Sequence, residues 1–190
     1  LPPDVNDDFL MESNLDTVVN LAALPGLSTS WVEPRKLFLS NTALVQYLLN
    51  HFSHSVQDTH LVHASTSSVY GNKVPNSELG SVKPVSPYGI SKLAAENLIS
   101  NYSINLSSEP AILRLFSIYG PGQRQDMGYY KFIRQALSGD PITITGSLEQ
   151  TRRNTYIEDV VRAFVTIIER RIGGTYNVVG DEEIKLGEAV

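Results

Sequence analysis

The sequence predicts an α/β domain built on a doubly wound parallel sheet, and three observations predict it. Short apolar runs alternate with longer amphipathic stretches along the chain, which is the pattern of strands joined by crossover helices. Of the 190 residues, 42% are hydrophobic and 18% charged, which is ordinary globular composition with enough apolar material for one sizeable core. No internal repeat or low-complexity tract interrupts the pattern.

Taken in order, Thr17-Val18-Val19-Asn20-Leu21 reads as a buried strand, followed by a turn at Pro25-Gly26 and an apolar-periodic helix over 34–51. His60-Leu61-Val62-His63-Ala64 reads as the next parallel strand. A polar loop with Gly and Pro runs from Ser65 to Val85. Ser86 then has the hydroxyl of an N-cap and Pro87 suits the first helical position, so a helix is expected over 87–101. Ala111-Ile112-Leu113-Arg114-Leu115-Phe116 is a third strand, ending at the Gly120-Pro121-Gly122 turn. A helix over 130–137, a short strand at Ile142-Thr143-Ile144, a helix over 157–171 and a strand at Thr175-Tyr176-Asn177-Val178-Val179 complete the reading. Gly26 and the paired Gly173-Gly174 are read as turn residues.

Composition excludes several function classes. The net charge of -5 argues against a general nucleic-acid binder, which normally displays a basic face. The chain has no cysteine, so it has no disulfide framework, thiolate metal site or cysteine nucleophile, and a reducing, cytoplasmic setting is expected. No run approaches the roughly 20 apolar residues that span a bilayer, and Leu1-Pro2-Pro3-Asp4 lacks the basic and apolar regions of a signal peptide. The four histidines, among them His51, His54 and His63, show no convergent third ligand. No metal site is expected; His51 and His54 are placed at a helix end and His63 inside a strand, without chemistry.

Tyr88 and Lys92 are four residues apart on the expected helix, so their side chains share a face. A tyrosine is a poor base at neutral pH because its pKa is about 10; a lysine cation beside it favours the phenolate. By spacing alone the pair is weak evidence, since nine tyrosines give such a spacing by chance at an appreciable rate. The preceding strand strengthens it. That strand runs into Ser65-Thr66-Ser67-Ser68-Val69-Tyr70-Gly71, and open α/β sheets place ligands at strand C-termini, where a hydroxyl can bridge substrate and tyrosine.

These stretches resemble the NAD-dependent epimerase/dehydratase family, within the extended short-chain dehydrogenase type, from Val18 to about Gly187. Val18-Val-Asn-Leu-Ala-Ala23 is similar to that family's fourth strand, whose end at Leu21, Ala22 and Ala23 is implied to touch the cofactor. Asn41 resembles the helix asparagine near the active site, with Leu44 where a glycine is usual. His63-Ala-Ser-Thr-Ser-Ser-Val-Tyr-Gly71 is similar to the catalytic serine/threonine segment. The resemblance puts the catalytic hydroxyl on Thr66, the cofactor near Ala64 and Ser65, and substrate near Ser67. Ser86-Pro-Tyr-Gly-Ile-Ser-Lys92 supplies the Tyr-x-x-x-Lys pair. Leu113-Arg-Leu-Phe-Ser-Ile-Tyr-Gly-Pro121 implies Phe116 beside the nicotinamide and Ser117 where many members have an asparagine contacting the sugar nucleotide. Gln123-Arg124-Gln-Asp-Met127 continues the match and makes Arg124 a substrate candidate. The segment from Gly146 to Asp159 implies Arg152 on the nucleotide diphosphate, with Arg153 and Asn154 where Asp and an aromatic are usual; a planar guanidinium suits phosphate oxygens.

The resemblance thus implies a Rossmann-like fold, NAD as cofactor, and an opening step in which hydride leaves a sugar carbon while Tyr88, with Lys92 and Thr66, takes the hydroxyl proton. Members resembling 4,6-dehydratases carry an Asp-Glu pair after the threonine, and decarboxylase-like members a Glu two residues after it. Here those positions are Ser67 and Ser68, which cannot do that proton work. Inversion at C4 of a nucleotide sugar, of the UDP-hexose or UDP-hexuronic acid class, is therefore expected. The rivals are a reductase or epimerase-reductase consuming NADPH, a dehydratase, and a non-catalytic sugar-nucleotide-binding protein. A cofactor-binding part over 1–120 and a substrate region over 121–190, partly interleaved with the sheet, are expected. The resemblance places the glycine-rich loop and ribose-reading residues before Leu1 and further helices after Val190, so this stretch on its own is expected to bind NAD poorly and to associate through open strand edges. A homodimer through helices 34–51 and 87–101, rich in Leu37, Leu44, Leu48, Leu93, Leu98 and Ile99, is implied as well, with core packing as the other use of those residues.

Overall fold

The computed structural model describes residues 15–27, 29–53, 58–72 and 77–190; the placement expected for His54 lies outside them. The chain divides into two compact units, one of residues 1–114 with 164–177 and one of residues 115–163 with 178–190. The region expected over 121–190 is therefore shared between the units.

The first unit carries the sheet, in the order β1-β2-β3-β6. Strand β1 (Thr17–Asn20) lies parallel to β2 (His60–Thr66), with Thr17 opposite His60 and Asn20 opposite His63. Leu21, expected as the last strand residue, lies beyond β1 and is 65% exposed. Strand β2 continues two residues past the expected end and is buried on both faces, as strands covered on both faces are. A short helix α1 (Thr29–Val32) precedes the helix expected over 34–51, which is itself a composite of α2 (Pro34–Phe38), a π turn at Leu39–Ala43 and α3 (Leu44–Ser53). Helix α4 (Pro87–Tyr102) starts as its sequence predicts: the Ser86 Oγ accepts from the Gly89 N–H at 3.1 Å and Pro87 takes the first turn.

The core of this unit joins α3, α4 and the strands through Val45, Leu49, Phe52, Leu61, Ala95, Ile99 and Ile112, with Leu48 and Leu98 packed against it. Leu37 and Ile99 are buried, so part of the apolar surplus on the two helices is spent inside the chain. Strand β3 (Ala111–Leu115) and β6 (Gly174–Val178) complete the sheet, and the Gly174 N–H meets the Pro110 carbonyl at 3.0 Å.

The second unit has a three-stranded sheet ordered β4-β5-β7. Strand β4 (Ser117–Tyr119) is parallel to β5 (Thr151–Tyr156), which is antiparallel to β7 (Glu183–Lys185). Helix α5 (Gly128–Ser138) ends at Gly139, a left-handed C-cap with φ of 71° that glycine adopts without strain. Helix α6 (Ile157–Arg170) opens with Glu158 and Asp159, charges that suit the positive end of a helix. None of these three strands is predicted by apolar periodicity. Conversely, the strand expected at Ile142-Thr143-Ile144 does not form. Its alternation is real, with both isoleucines half-buried and Thr143 exposed, but the Gln135 side chain takes the place of a neighbouring strand: its Oε1 accepts the Thr143 N–H at 3.2 Å and its Nε2 donates to Thr143 Oγ1 at 3.3 Å.

The Gly120-Pro121-Gly122 stretch is a turn, with positive φ at both glycines and the Gln123 N–H closing on the Gly120 carbonyl at 3.2 Å. A Cβ on Gly120 would stand 2.6 Å from Ile157 Cγ2. No described helix is long and apolar enough to cross a membrane.

Candidate active site

In the first unit the sequence-nominated residues converge on the C-terminal ends of β1 and β2 and the first turns of α4. Thr66 ends β2 and caps a 3-10 turn at Ser67–Tyr70; its Oγ1 accepts the Ser68 N–H at 3.2 Å and donates to Ser68 Oγ at 3.3 Å. The start of α4 packs on that turn because residue 89 is glycine: a Cβ there would lie 2.6 Å from the Ser68 carbonyl oxygen and 2.9 Å from Pro84 Cβ. Tyr88 is thereby set beside the hydroxyl-bearing turn, and it is only half-buried.

Lys92, one turn further on, is 2% exposed. Its Nζ donates to the Ala64 carbonyl at 2.5 Å and lies 3.2 Å from His63 Nε2. Burial lowers its pKa to about 8, against the opposing pull of the Glu96 charge. A buried amine near neutrality can exchange a proton at modest cost, a property of functional sites more than of structural lysines.

Asn41 is fully buried in the π turn, a local irregularity that often marks functional positions. Its Oδ1 accepts the Leu24 N–H at 2.7 Å, and its Nδ2 donates to the Leu24 carbonyl and to Ser91 Oγ, each at 3.1 Å. Ser91 Oγ in turn donates to the Tyr88 carbonyl at 2.8 Å. Asn41 thus fastens the segment after β1 to the helix that bears Tyr88 and Lys92, and its amide is spent on protein groups. That segment leaves Leu21, Ala22 and Leu24 exposed and Ala23 half-buried. Ser65 is 4% exposed and gives its hydroxyl to Glu96 Oε1, so its side chain faces the protein.

Phe116, Ser117, Arg124 and Arg152 belong to the second unit. Phe116 is half-buried between β3 and β4, its N–H donated to the Val178 carbonyl at 3.1 Å. Ser117 stands opposite Asn154 in the β4–β5 register, and Arg152, two residues earlier on β5, points to the same face. Arg152 is exposed, with Nη1 donating to the Thr151 carbonyl at 2.8 Å. Arg124 forks onto Asp126, Nε to Oδ1 at 2.9 Å with Nη2 paired to Oδ2.

Sequence reasoning missed His63 and Glu96, whose contacts with Lys92 and Ser65 reach across from one element to another. The signal present was the period-two spacing of Leu61, His63 and Ser65, which puts all three on the β2 face that meets α4. Asn154, which departs from the family pattern, lies in the second unit beside Tyr129, to whose hydroxyl its Nδ2 donates at 2.6 Å. Among the described residues, no group of three or more His, Asp or Glu side chains is placed to hold a metal ion.

Residues 2–179 match the NAD dependent epimerase/dehydratase family, and the chain belongs to that family. It is 39% identical to the uncharacterized UDP-glucose epimerase YtcB of Bacillus subtilis (strain 168), over 93% of this chain and 57% of that protein. It is 35% identical to UDP-glucuronate 4-epimerase 1 of Arabidopsis thaliana, over 84% of this chain and 40% of that protein. Its fold superposes on the crystal structure of UDP-glucuronic acid 4-epimerase from Bacillus cereus in complex with UDP-glucuronic acid and NAD, with a TM-score of 0.87 and 39% identity over 95% of this chain and 58% of that one. The α/β sheet is therefore the Rossmann-like one. The chain spans little more than half the length of the first of these relatives.

Proposed function

We propose that this chain carries the catalytic pair of an NAD-dependent UDP-sugar 4-epimerase, with Tyr88 as base, assisted by Lys92 and Thr66. The observation that carries the reading is that α4, which bears Tyr88 and Lys92, is seated through Gly89 on the turn at Ser67–Tyr70 that Thr66 caps, with Lys92 Nζ donating to the Ala64 carbonyl, on a segment that holds hydroxyls and no carboxylate between Thr66 and Tyr70. Similarity to UDP-sugar 4-epimerases supports the reaction class.

The residues present fit a dinucleotide. Past the end of β1 the chain exposes an apolar ledge, Leu21 at 65% and Leu24 at 42%, flanked by the small Ala22 and Ala23, which suits the flat faces of a cofactor. Leu21, Ala22, Ala23, Ala64, Tyr88, Lys92 and Phe116 are the residues that would hold NAD, with Asn41 and Ser65 acting from behind through Leu24 and Glu96. When bound, NAD supplies reversible acceptance of hydride from the sugar carbon. The protein's own part is proton transfer. Tyr88 takes the proton of the 4-hydroxyl, Thr66 Oγ1 orients that hydroxyl, and Lys92, in its charged form, holds the phenol toward its ionised form. Ser67, Ser117, Arg124 and Arg152 are assigned to the sugar nucleotide, Arg152 to its diphosphate. With serine at 67 and 68, the segment after Thr66 offers no carboxyl group for elimination chemistry, which favours inversion at C4 as the outcome.

A cytoplasmic setting and a homodimer through residues 34–51 and 87–101 belong to the same reading; Phe38, Leu39 and Ile90 on those helices are 36%, 50% and 46% exposed. The test is incubation of the full-length protein with UDP-glucose, UDP-glucuronate and their N-acetyl forms. Inversion at C4 with one of them and no net change in NADH is expected. Absence of inversion with all of them sinks the reading, and stoichiometric loss of NADPH would assign a reductase instead.

A further inference from the structure

A row of buried polar groups runs behind the catalytic face, from the turn after β1 to Lys92. The Ala22 N–H donates to Asn20 Oδ1 at 3.1 Å. Asn20 Nδ2 lies 3.1 Å from His63 Nδ1. His63 Nε2 lies 3.2 Å from Lys92 Nζ, which donates to the Ala64 carbonyl at 2.5 Å. Asn20, His63 and Lys92 are 5%, 0% and 2% exposed, so water cannot readily settle a mismatched contact.

Donor counting along this row decides where the protons are. A backbone N–H only donates, so Asn20 turns its oxygen to Ala22 and its amide nitrogen to His63. His63 Nδ1 must then accept, which puts the ring proton on Nε2, directed at Lys92. Lys92 can receive it only as a neutral amine, which has one lone pair for His63 and hydrogens left for Ala64. A charged Lys92 has no lone pair and forces the opposite arrangement. His63 Nε2 must accept, the ring proton moves to Nδ1, and Asn20 must rotate its oxygen to meet it. Its amide nitrogen then faces the Ala22 N–H, and that hydrogen bond is lost.

We infer that His63 is a positioning residue that couples the charge of Lys92 to the orientation of the Asn20 amide and, through it, to the Ala22 N–H at the end of β1. His63 faces Lys92 from β2, and Tyr88 and Glu96 stand one turn before and after it on α4, Glu96 being paired with Arg114. Burial brings Lys92 to about 8, while burial first and then the Lys92 charge hold His63 well below the ordinary imidazole value. The ring therefore changes tautomer while staying neutral. By linkage, a ligand oxygen that accepts the freed Ala22 N–H favours the charged lysine, and the charged lysine favours that ligand.

The test is the nitrogen spectrum of ¹⁵N-histidine-labelled full-length protein from about pH 6 to about pH 10, a range that brackets ordinary imidazole and approaches ordinary lysine titration. The His63 signal, assigned by its loss in His63→Phe, is expected to switch from the Nδ1–H to the Nε2–H tautomer as pH rises through about 8, and the switch is expected to vanish in Lys92→Met. One unchanging tautomer in the wild type, or a switch that survives Lys92→Met, overturns the inference. A kinetic arm rests on the epimerase reading: His63→Phe should move the acid limb of the kcat profile, and a lower kcat with an unmoved limb also counts against the coupling. The spectral arm needs no turnover, and the wild-type pH series alone can overturn it, so failure of the epimerase reading leaves it readable.

Discussion

Arg114 and Glu96 form a buried ion pair, Nη2 to Oε2 at 2.7 Å, with side chains 9% and 4% exposed. The Arg114 Nε also reaches both carboxylate oxygens at 3.1 Å. Its Nη1 donates to Tyr70 OH at 2.8 Å and to the Glu78 carbonyl at 3.0 Å, and Tyr70 OH donates to Asn177 Oδ1 at 2.7 Å. With Ser65 on Glu96, this network ties β2, α4, β3 and β6 together directly behind Thr66. Removing one partner leaves the other charge uncompensated in the interior, so Arg114→Met should cost about 3–5 kcal/mol, while Arg114→Met with Glu96→Leu should recover much of that loss. Denaturant midpoints of the two variants measure it. Equal destabilisation by both would show that packing, and not charge, holds this region.

Tyr88→Phe removes only the phenolic oxygen from a half-buried side chain. The fold should be unchanged by circular dichroism, and turnover with the best UDP-sugar should fall by about a hundredfold to ten-thousandfold, the range for loss of a general base. Thr66→Ala differs in kind. It removes both the hydroxyl proposed to orient substrate and the acceptor of the Ser68 N–H, so it should lower activity and also cost about 1 kcal/mol of stability. Thr66→Ser, which keeps the oxygen, should recover both readouts.

Legibility in the sequence followed how local the governing physics was. The start of α4 could be read because a Ser-Pro cap depends on a few adjacent residues, and the hydroxyl segment and Tyr88–Lys92 pair because they are contiguous motifs. Strand β5 could not, since Thr151, Arg152 and Arg153 are exposed polar residues and Asn154 is a half-buried one, a stretch whose extended shape comes from β4 and β7 on either side. The false strand at Ile142–Ile144 shows the converse: alternation marks a half-buried extended segment but does not say whether a backbone or the Gln135 side chain will satisfy it. The role of His63 is not legible in the sequence because its partner lies 29 residues away, and only the packing of α4 on β2 makes them neighbours.

Protons provide a third prediction. His63 is held below its ordinary pKa first by burial and then by the Lys92 charge. As pH falls below about 6.5 the unfolded chain binds a proton at this residue while the folded chain does not, so folding stability must fall with pH in that window. Lys92 acts by the same sign at higher pH. Its folded value of about 8 lies below the ordinary lysine value, so its contribution worsens as pH falls from about 10.4 toward 8 and is constant below. The unfolding free energy of the wild type minus that of Lys92→Met should rise as the pH is raised from about 7 to about 10. Parallel curves would mean that Lys92 has no depressed value in the folded protein.

The sharpest structural prediction concerns Gly89, because two rules disagree there. In an exposed helix interior, alanine is more favourable than glycine by about 1 kcal/mol, so propensity alone says that Gly89→Ala should stabilise α4. The packing says otherwise: the new Cβ would lie 2.6 Å from the Ser68 carbonyl oxygen and 2.9 Å from Pro84 Cβ. The nearest of these atoms is backbone and cannot swing aside as a flexible side chain could. The helix must therefore lift from the turn at Ser67–Tyr70, at a cost of about 1–3 kcal/mol typical of overpacking. Because Tyr88 is the adjacent residue and Thr66 caps that turn, the same displacement separates the proposed base from the proposed orienting hydroxyl, and misplacement by about 1 Å can cost a hundredfold in rate. Gly89→Ala is expected to lower both the denaturation midpoint and kcat, with kcat falling further than the lost folded fraction explains. A variant as stable and as active as the wild type would show that α4 does not need its close seat on the Thr66 turn.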